Sequence, residues 1–256
     1  VRGGEQRRAT VSVVGPVSPP LLLRGACFIA EDGFKAQSWR YMDDLDILLP
    51  DASYLHAAVE AVGSSGYQTT SDCYYSDLDP HYPILMHPLL PAGIEIHQRC
   101  MRWPVAGLMD NATLLSKAST IDSPFGRFML PGDTMRLAYM VANAQIKDNG
   151  YRRRVFRLRD VFDFVGVVER NGASLDEAHA LFERAGREDE LLSFVLACER
   201  VLECCYLPGA VYRDRHRRWV KASFAGLRDP STLKGYVVRD WIRLAGSVAA
   251  RPRYWN

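Results

Sequence analysis

The pattern of hydrophobic and polar positions changes at about the midpoint of the chain. Up to about residue 99, short apolar runs such as "LLLR", "LDILLP", "YPILMHP" and "GIEIHQR" are separated by polar turns. Such runs are typical of β-strands when Gly or Pro bounds them. After about residue 131, apolar residues recur every three or four positions, which is the spacing of one helix face. The sequence therefore predicts an α+β fold, with a small mixed sheet followed by an all-helical region.

This change of pattern predicts how the chain is divided. Residues 1–20 are polar and basic and then Pro-rich, so we expect a partly disordered lead-in. Residues 21–125 are expected to form the α/β domain, and residues 126–256 the helical domain. The boundary is expected within residues 105–132, where "DNATLLSKASTIDSPFG" is rich in polar and turn-forming residues.

Turns and caps within the first domain indicate where its elements begin. Gly25 is expected to turn the strand "LLLR" into the short helix "ACFIAEDG". Ser53 is expected to cap the next helix. The buried face of that helix would consist of Leu55, Ala58, Val59 and Val62. "YQTT" predicts a further extended segment, and "LLPAG" predicts the loop of a β-hairpin.

In the second domain, the same spacing predicts a series of helices. Their buried faces would include Leu137, Met140, Val141 and Ala144, and then Leu158, Val161, Phe162 and Val165. Ser174 and Glu177 have the spacing of a capping box at the start of the next helix, which would finish at Gly186. "DELLSFVLACERVLECCY" and "LKGYVVRDWIRLAGSVAA" predict two more helices.

The segment "RYMDDLDILLP" places carboxylates at the start of an apolar strand. Strand side chains alternate between faces, so Asp44 and Asp46 are expected to project to the same side. Two neighbouring carboxylates repel each other, but a divalent cation between them removes the repulsion. Oxygen ligands of this kind favour Mg²⁺ or Mn²⁺. The segment therefore indicates a metal site.

A third acid strengthens this interpretation. In "GIEIHQR", Glu95 and His97 alternate with apolar residues, so Glu95 is expected to point away from the apolar side of its strand. If this strand lies beside the one that carries Asp44 and Asp46, three carboxylates converge. Such a cluster can hold two metal ions about 3.5–4 Å apart and support an in-line phosphoryl displacement.

Together these segments resemble the uncharacterised nucleotidyltransferase family of the DNA-polymerase-β-like superfamily. Members have an apolar strand ending in L-L-K-G, then R-x-M-x-D-x-D before an apolar run, and then an acid-x-His strand. The matching residues here are Gly25, Arg40, Met42, Asp44, Asp46, Glu95 and His97. The resemblance extends over roughly residues 20–165 and is looser beyond.

The resemblance implies a transferase that moves a nucleoside monophosphate from an NTP to an acceptor. Asp44, Asp46 and Glu95 would be its catalytic and metal-binding residues, with Mg²⁺ or Mn²⁺ as the cofactor. The expected donor is ATP, and the expected acceptor is a small molecule. The α/β domain, residues 21–125, would then be a nucleotidyltransferase domain.

Other residues would contact the nucleotide or the acceptor. The backbone of the Gly25–Ala26 turn would approach the triphosphate. Arg40 would bind phosphate, or alternatively form a salt bridge with a neighbouring Asp. Lys147 would also contact the nucleotide, or be an exposed charge. His97 would contact the substrate, or alternatively be a hydrogen-bonded core histidine.

Two departures from the family pattern leave alternatives open. Family members commonly have Gly-Ser or Gly-Gly at the turn, whereas this chain has Gly25-Ala26 and lacks the hydroxyl. Asn143 and Lys147 stand where relatives often carry histidines. One alternative is a nucleotide-binding module without catalytic activity. Another is a toxin-like enzyme that modifies tRNA or protein.

Composition adds limits to these hypotheses. The six cysteines lack the spacing of a zinc site, which favours free thiols in a cytoplasmic protein. No apolar run approaches the roughly 18 residues that span a bilayer, so we expect no membrane association. Residues 206–256 contain eleven Lys/Arg and three Asp/Glu, a net +8 within a chain of net charge +2, which leaves −6 elsewhere. This basic segment indicates phosphate-bearing ligands or a solvated helix surface, with RNA as a less favoured acceptor.

Overall fold

The computed structural model describes most of the chain, and it contains two compact units, Val1–Arg136 and Leu137–Asn256. The described residues are 19–31, 44–69, 75–76, 79–90, 92–101, 107–123, 126–169, 173–207 and 212–229. The lead-in before residue 19, Arg40, Met42 and the predicted helix "LKGYVVRDWIRLAGSVAA" lie outside these residues. A sheet region comes first and helices follow, which confirms the predicted α+β class.

Within the described residues, the first unit is built on one mixed sheet of seven strands. In chain order the strands are β1 (Leu21–Leu22), β2 (Asp44–Leu48), β3 (Gln68–Thr69), β4 (Leu85–Met86), β5 (Gly93–His97), β6 (Ser119–Ser123) and β7 (Gly126–Leu130). Their order across the sheet is β3-β4-β5-β2-β1-β7-β6. β2 and β5 are therefore central neighbours, and they run parallel.

The helices of the first unit are short. They are α1 (Gly25–Glu31), a 3₁₀ turn (Ala52–Tyr54), α2 (Leu55–Ser64) and α3 (Asn111–Ser116). α1 begins where Gly25 was expected to turn the chain. The predicted hairpin is also present, because β4 pairs antiparallel with β5 through Leu85 and Ile94.

The core of the first unit lies against one face of the sheet. Leu45, Ile47 and Leu49 of the β2 segment join Ile94 and Ile96 of β5 in a single buried cluster. Each fully buried aliphatic side chain of this kind contributes about 1.5–3 kcal/mol. Since side chains alternate along a strand, Asp44 and Asp46 of β2 and Glu95 of β5 project to the opposite face, together with Leu48 and His97.

The N-terminal cap of α2 differs from the prediction. The residue that caps this region is Asp51 and not Ser53, since the Asp51 side chain accepts a hydrogen bond from the Ser53 N–H at 2.8 Å. Asp is among the preferred capping residues, and here it caps the 3₁₀ turn that leads into α2. The buried face is as predicted at Leu55, Ala58 and Val62.

The β6–β7 hairpin was not predicted from the sequence. β6 is "STIDS", a largely polar edge strand, and its Asp122 forms an exposed ion pair with Arg127 of β7 at 2.9 Å. A polar edge strand has no apolar run that identifies it. β7 pairs parallel with β1, so the sheet includes residues beyond position 125.

The second unit is helical in its described residues. Its elements are α4 (Asp133–Ala142, which contains the boundary between the units), a π-helical turn (Asn143–Lys147), α5 (Gly150–Arg153), α6 (Leu158–Val168), α7 (Leu175–Arg184), α8 (Glu188–Leu202) and α9 (Asp214–Arg228). Ser174 caps α7 as predicted, accepting from the Glu177 N–H at 3.1 Å. Gly186 follows α7 with a φ of +65°, a conformation that glycine adopts without strain.

The buried face of α6 is a correction to the sequence prediction. Leu158 is 53% exposed and Phe162 is 62% exposed, whereas Val161, Phe164 and Val167 are completely buried. Phe164 packs edge-on against Phe194 and Tyr206, with ring centroids 5.7 and 5.5 Å apart. These aromatic partners orient the helix, and their positions are set by tertiary packing.

Among the helices within the described ranges, none has both the length and the apolar character that crossing a membrane would require.

Candidate metal and active site

The acidic face of the sheet is assembled by the register of β2 and β5. Asp46 stands directly opposite Glu95, and Leu48 stands opposite His97. Residues in register on parallel neighbouring strands project to the same face. Asp46, Glu95 and His97 therefore meet on the side opposite the apolar core, although β2 and β5 are far apart in sequence.

These three side chains form a tight cluster around the Asp46 carboxylate. His97 Nε2 lies 2.9 Å from Asp46 Oδ1 and 3.4 Å from Glu95 Oε2. One candidate ligand atom from each residue lies within 4.8 Å of the other two. Asp46 and His97 are buried, while the Glu95 side chain is 18% exposed. Glu95 is thus the member of the cluster that solvent or a substrate can reach.

His97 holds the two carboxylates together through its Nε2–H. A carboxylate accepts hydrogen bonds, so the proton of each contact belongs to the imidazole. Burial lowers the pKa of His97, but the hydrogen bonds and charges of Asp46 and Glu95 outweigh it, and the pKa is raised above its ordinary value. The ring of His81 packs at 5.1 Å from that of His97. His97 is therefore a partner of the acids within the site.

Arg24 supplies a second side-chain contact to Asp46, and this one is cationic. Its Nη1 lies 3.1 Å from Asp46 Oδ2, and its side chain is 26% exposed against 4% for Asp46. Sequence reasoning did not identify this residue, because a single Arg at the end of an apolar strand does not indicate which acid it will contact. The one available signal was its position directly before Gly25 in "LLLRG".

The chemistry of this cluster fits a divalent cation. Ligands of one ion lie about 2.0–2.6 Å from it, so they lie within about 5 Å of one another, as the three candidate atoms do. Carboxylate oxygens suit Mg²⁺ and Mn²⁺, and an imidazole nitrogen extends the set towards later transition metals. Asp46 and Glu95 are therefore the residues that could hold a metal ion, and His97 could join them once its Nε2 has lost its proton.

Of the other predicted site residues, Asp44 belongs to β2, and Gly25 and Ala26 belong to α1. Asp44 lies on the acidic face of β2, opposite Gly93 of β5 and two residues before Asp46. Its part in metal binding stays a prediction. Gly25 and Ala26 begin α1, and the Ala26 N–H donates to the Leu23 carbonyl at 3.3 Å.

Two further predictions concern Lys147 and Arg40. Lys147 ends the π-helical turn of the second unit and is half-buried. Arg40 belongs to the part of the chain that the structure does not describe. Nucleotide contacts by Arg40, Lys147 and the Gly25–Ala26 turn stay predictions.

Comparison with protein families gives one match that bears on this site. A family model described as an uncharacterised nucleotidyltransferase matches residues 17–203, which is well over half of the chain. The chain belongs to this nucleotidyltransferase family. The match confirms the resemblance inferred from the glycine turn, the paired aspartates and the acid-x-His strand.

The matched residues of this nucleotidyltransferase include the whole cluster of Asp46, Glu95 and His97. The match ends one residue after α8, so the basic helix α9 lies beyond it. Comparison with curated proteins and with solved structures gives no match.

Proposed function

We propose that the chain is a metal-dependent nucleotidyltransferase that moves a nucleoside monophosphate from an NTP, with ATP as the donor, to a small-molecule hydroxyl. The observation that carries this proposal is the meeting of Asp46 and Glu95 in register on adjacent parallel strands. Family membership supports the reaction class.

The roles of the acids follow from their surroundings. Asp46 and Glu95, with Asp44 on the same face, would hold Mg²⁺ or Mn²⁺. Such ions, when bound, lower the pKa of the attacking hydroxyl and neutralise the leaving pyrophosphate. Glu95 is the acid best placed to accept the proton of the acceptor, since its side chain is partly exposed. His97 orients Asp46 and Glu95 by donating to both.

The bond changes are those of an in-line displacement. The acceptor oxygen forms a bond to the α-phosphorus, and the bond between the α-phosphorus and the bridging oxygen breaks. Pyrophosphate leaves with that oxygen, and the acceptor proton passes to Glu95 or to solvent. We further propose that the Gly25–Ala26 turn, Arg40 and Lys147 contact the nucleotide.

Pyrophosphate release in the presence of Mg²⁺ or Mn²⁺, with a panel of small hydroxyl compounds, tests this proposal. Asp46→Asn and Glu95→Gln are each expected to lower the rate at least about 100-fold, because each removes a charge that acts in the transition state. The matched control is Asp122→Asn, which removes an acid whose side chain is 79% exposed in the β6–β7 hairpin. Equal rates in parent and Asp46→Asn would contradict the assignment.

The identity of the acceptor needs a separate measurement. Labelled NTP incubated with cell extract is expected to label small molecules. Label that appears on tRNA or on protein would support the toxin-like alternative.

A second candidate function is a nucleotide-binding module without turnover. It is favoured by the turn itself, where Ala26 has no hydroxyl and its N–H already bonds to the Leu23 carbonyl. Calorimetry with Mg-ATP distinguishes the two candidates. Tight binding without consumption over hours supports the module, and consumption supports the enzyme.

We also propose a cytoplasmic location. Within the described residues, Cys100, Cys198, Cys204 and Cys205 are free thiols. Free thiols fit a reducing compartment.

A further inference from the structure

Arg24 has an uncommon backbone conformation beside the central carboxylate of the site. Its φ is +50°, in the left-handed region that residues with a Cβ rarely adopt. The N–H of Leu23 donates to the carbonyl of Asp46 at 3.1 Å. The backbone before Arg24 is therefore anchored to the same residue whose side chain Arg24 contacts, with Nη1 at 3.1 Å from Oδ2 and 3.5 Å from Oδ1.

The Arg24 guanidinium lies where it would repel a divalent ion bound to Asp46. An ion bound to a carboxylate lies about 2.0–2.6 Å from the oxygen, so an ion on Asp46 would come within about 5 Å of Nη1. A singly charged and a doubly charged cation at that distance repel each other strongly when the carboxylate between them is buried. Arg24 and the ion therefore compete for Asp46.

Arg24 could also contact a different anion, at the exposed rim of the site. Its side chain is 26% exposed, so the guanidinium is at the rim of the site while Asp46 is inside. Guanidinium forms paired hydrogen bonds with phosphate oxygens, which match its planar arrangement of donors. A triphosphate that enters together with the ion would offer Arg24 such a partner.

We propose that Arg24 exchanges partners during substrate binding: it holds Asp46 in the resting site and moves to the triphosphate when the metal ion binds to Asp46. This inference rests on the proposed function. It makes Arg24 a substrate-positioning residue and links the two ligands. The ion alone displaces Arg24 from Asp46, whereas the ion with NTP also gives Arg24 a phosphate partner, so each ligand strengthens the binding of the other.

Binding of Mn²⁺, measured from the electron paramagnetic resonance signal of the free ion, tests this exchange. Parent protein, Arg24→Gln and Arg24→Lys are compared with and without α,β-methylene-ATP, an analogue that cannot transfer its nucleotidyl group. Without the analogue, Arg24→Gln is expected to bind Mn²⁺ at least about fivefold more tightly than the parent, a ratio that corresponds to about 1 kcal/mol. With Mn²⁺ present, Arg24→Gln is expected to bind the analogue at least about fivefold more weakly.

Arg24→Lys keeps the charge but loses the planar donors, so it is expected to lie between the other two proteins in both measurements. A merely structural role for Arg24 would weaken both kinds of binding together. Circular dichroism checks that each variant is folded.

Two results would overturn the exchange. Unchanged or weaker Mn²⁺ binding by folded Arg24→Gln would show that Arg24 does not compete for Asp46. Equal affinity of parent and Arg24→Gln for the analogue would show that Arg24 does not reach the triphosphate. Failure of the proposed function gives a different pattern, in which the parent binds no analogue, while tighter Mn²⁺ binding by Arg24→Gln would still establish the competition.

Discussion

Asp46→Asn is expected to destabilise the metal-free protein, although removal of charge from an acidic cluster commonly stabilises a fold. The physical reason is that Asp46 has hydrogen-bond donors on both oxygens: His97 Nε2 at 2.9 Å on Oδ1 and Arg24 Nη1 at 3.1 Å on Oδ2. The Asp46 side chain is 4% exposed, so water cannot replace these contacts.

The magnitude follows from the burial of each partner. Removing one member of a fully buried ion pair costs about 3–5 kcal/mol. The cost here is smaller, because Arg24 can regain water and buried His97 can lose its proton. Hydrogen bonds to charged groups contribute about 1.5–3 kcal/mol, and we expect a loss of that size in the free energy of unfolding. For a protein of this size, the loss corresponds to a fall in Tm of about 3–12 °C.

Urea denaturation in the presence of a chelator measures this loss. The matched comparison is Glu95→Gln, whose side chain is 18% exposed and has a 3.4 Å contact to His97. Its expected cost is below about 1 kcal/mol, as for partly exposed pairs. If Asp46→Asn is as stable as the parent, or more stable, Asp46 is not held by Arg24 and His97 in solution, and the reasoning is refuted.

Three further predictions concern the rest of the fold. Phe164→Ala is expected to lower the free energy of unfolding by about 3–5 kcal/mol, whereas Phe162→Ala on the exposed side of α6 is expected to lower it by less than about 1 kcal/mol. Similar losses for the two variants in urea denaturation would show that Phe164 is not on the buried face of α6. The pKa of His97 is raised in the folded state, so its stabilisation is complete below its ordinary value of 6.5 and disappears as pH rises through the folded pKa. The stability difference between parent and His97→Gln, measured without metal, should therefore be larger at about pH 5.5 than at about pH 9, and a constant difference would contradict it. Burial raises the pKa of Asp160, with Arg157 and Arg159 partly opposing it, so the ionised form is disfavoured in the folded state. Asp160→Asn is expected to raise Tm at pH 7, with the gain shrinking as pH falls through the raised folded pKa and absent below the ordinary value of 3.8. A lower Tm at pH 7 would disprove this.

The parts of the site that follow from local rules could be predicted from the sequence. Period-two alternation places Asp44 and Asp46 on one face of β2, and it places Glu95 on the face of β5 that is opposite its apolar residues. The apolar residues between them predict which face is buried. The pairing of β2 with β5 was a hypothesis, because strand order depends on contacts between distant segments, and the register of Asp46 with Glu95 confirms it.

Other features depend on tertiary structure or backbone conformation. Arg24 contacts Asp46 from a left-handed backbone conformation, and the contact joins two segments that local spacing does not relate. The exposed side of α6 depends on aromatic partners from other segments, so the 3.6-residue spacing alone allowed a wrong face. The polar strand β6 has no apolar alternation, and its pairing with β7 is visible only in the structure.

The most direct test of the central claim is a crystal structure with Mn²⁺ and α,β-methylene-ATP, with the anomalous scattering of manganese used to locate the ion. The account predicts a manganese peak between the Asp46 and Glu95 carboxylates, with the triphosphate bound to the same ion. A nucleotide bound with no manganese at Asp46 and Glu95, or with manganese only at another place, would contradict it.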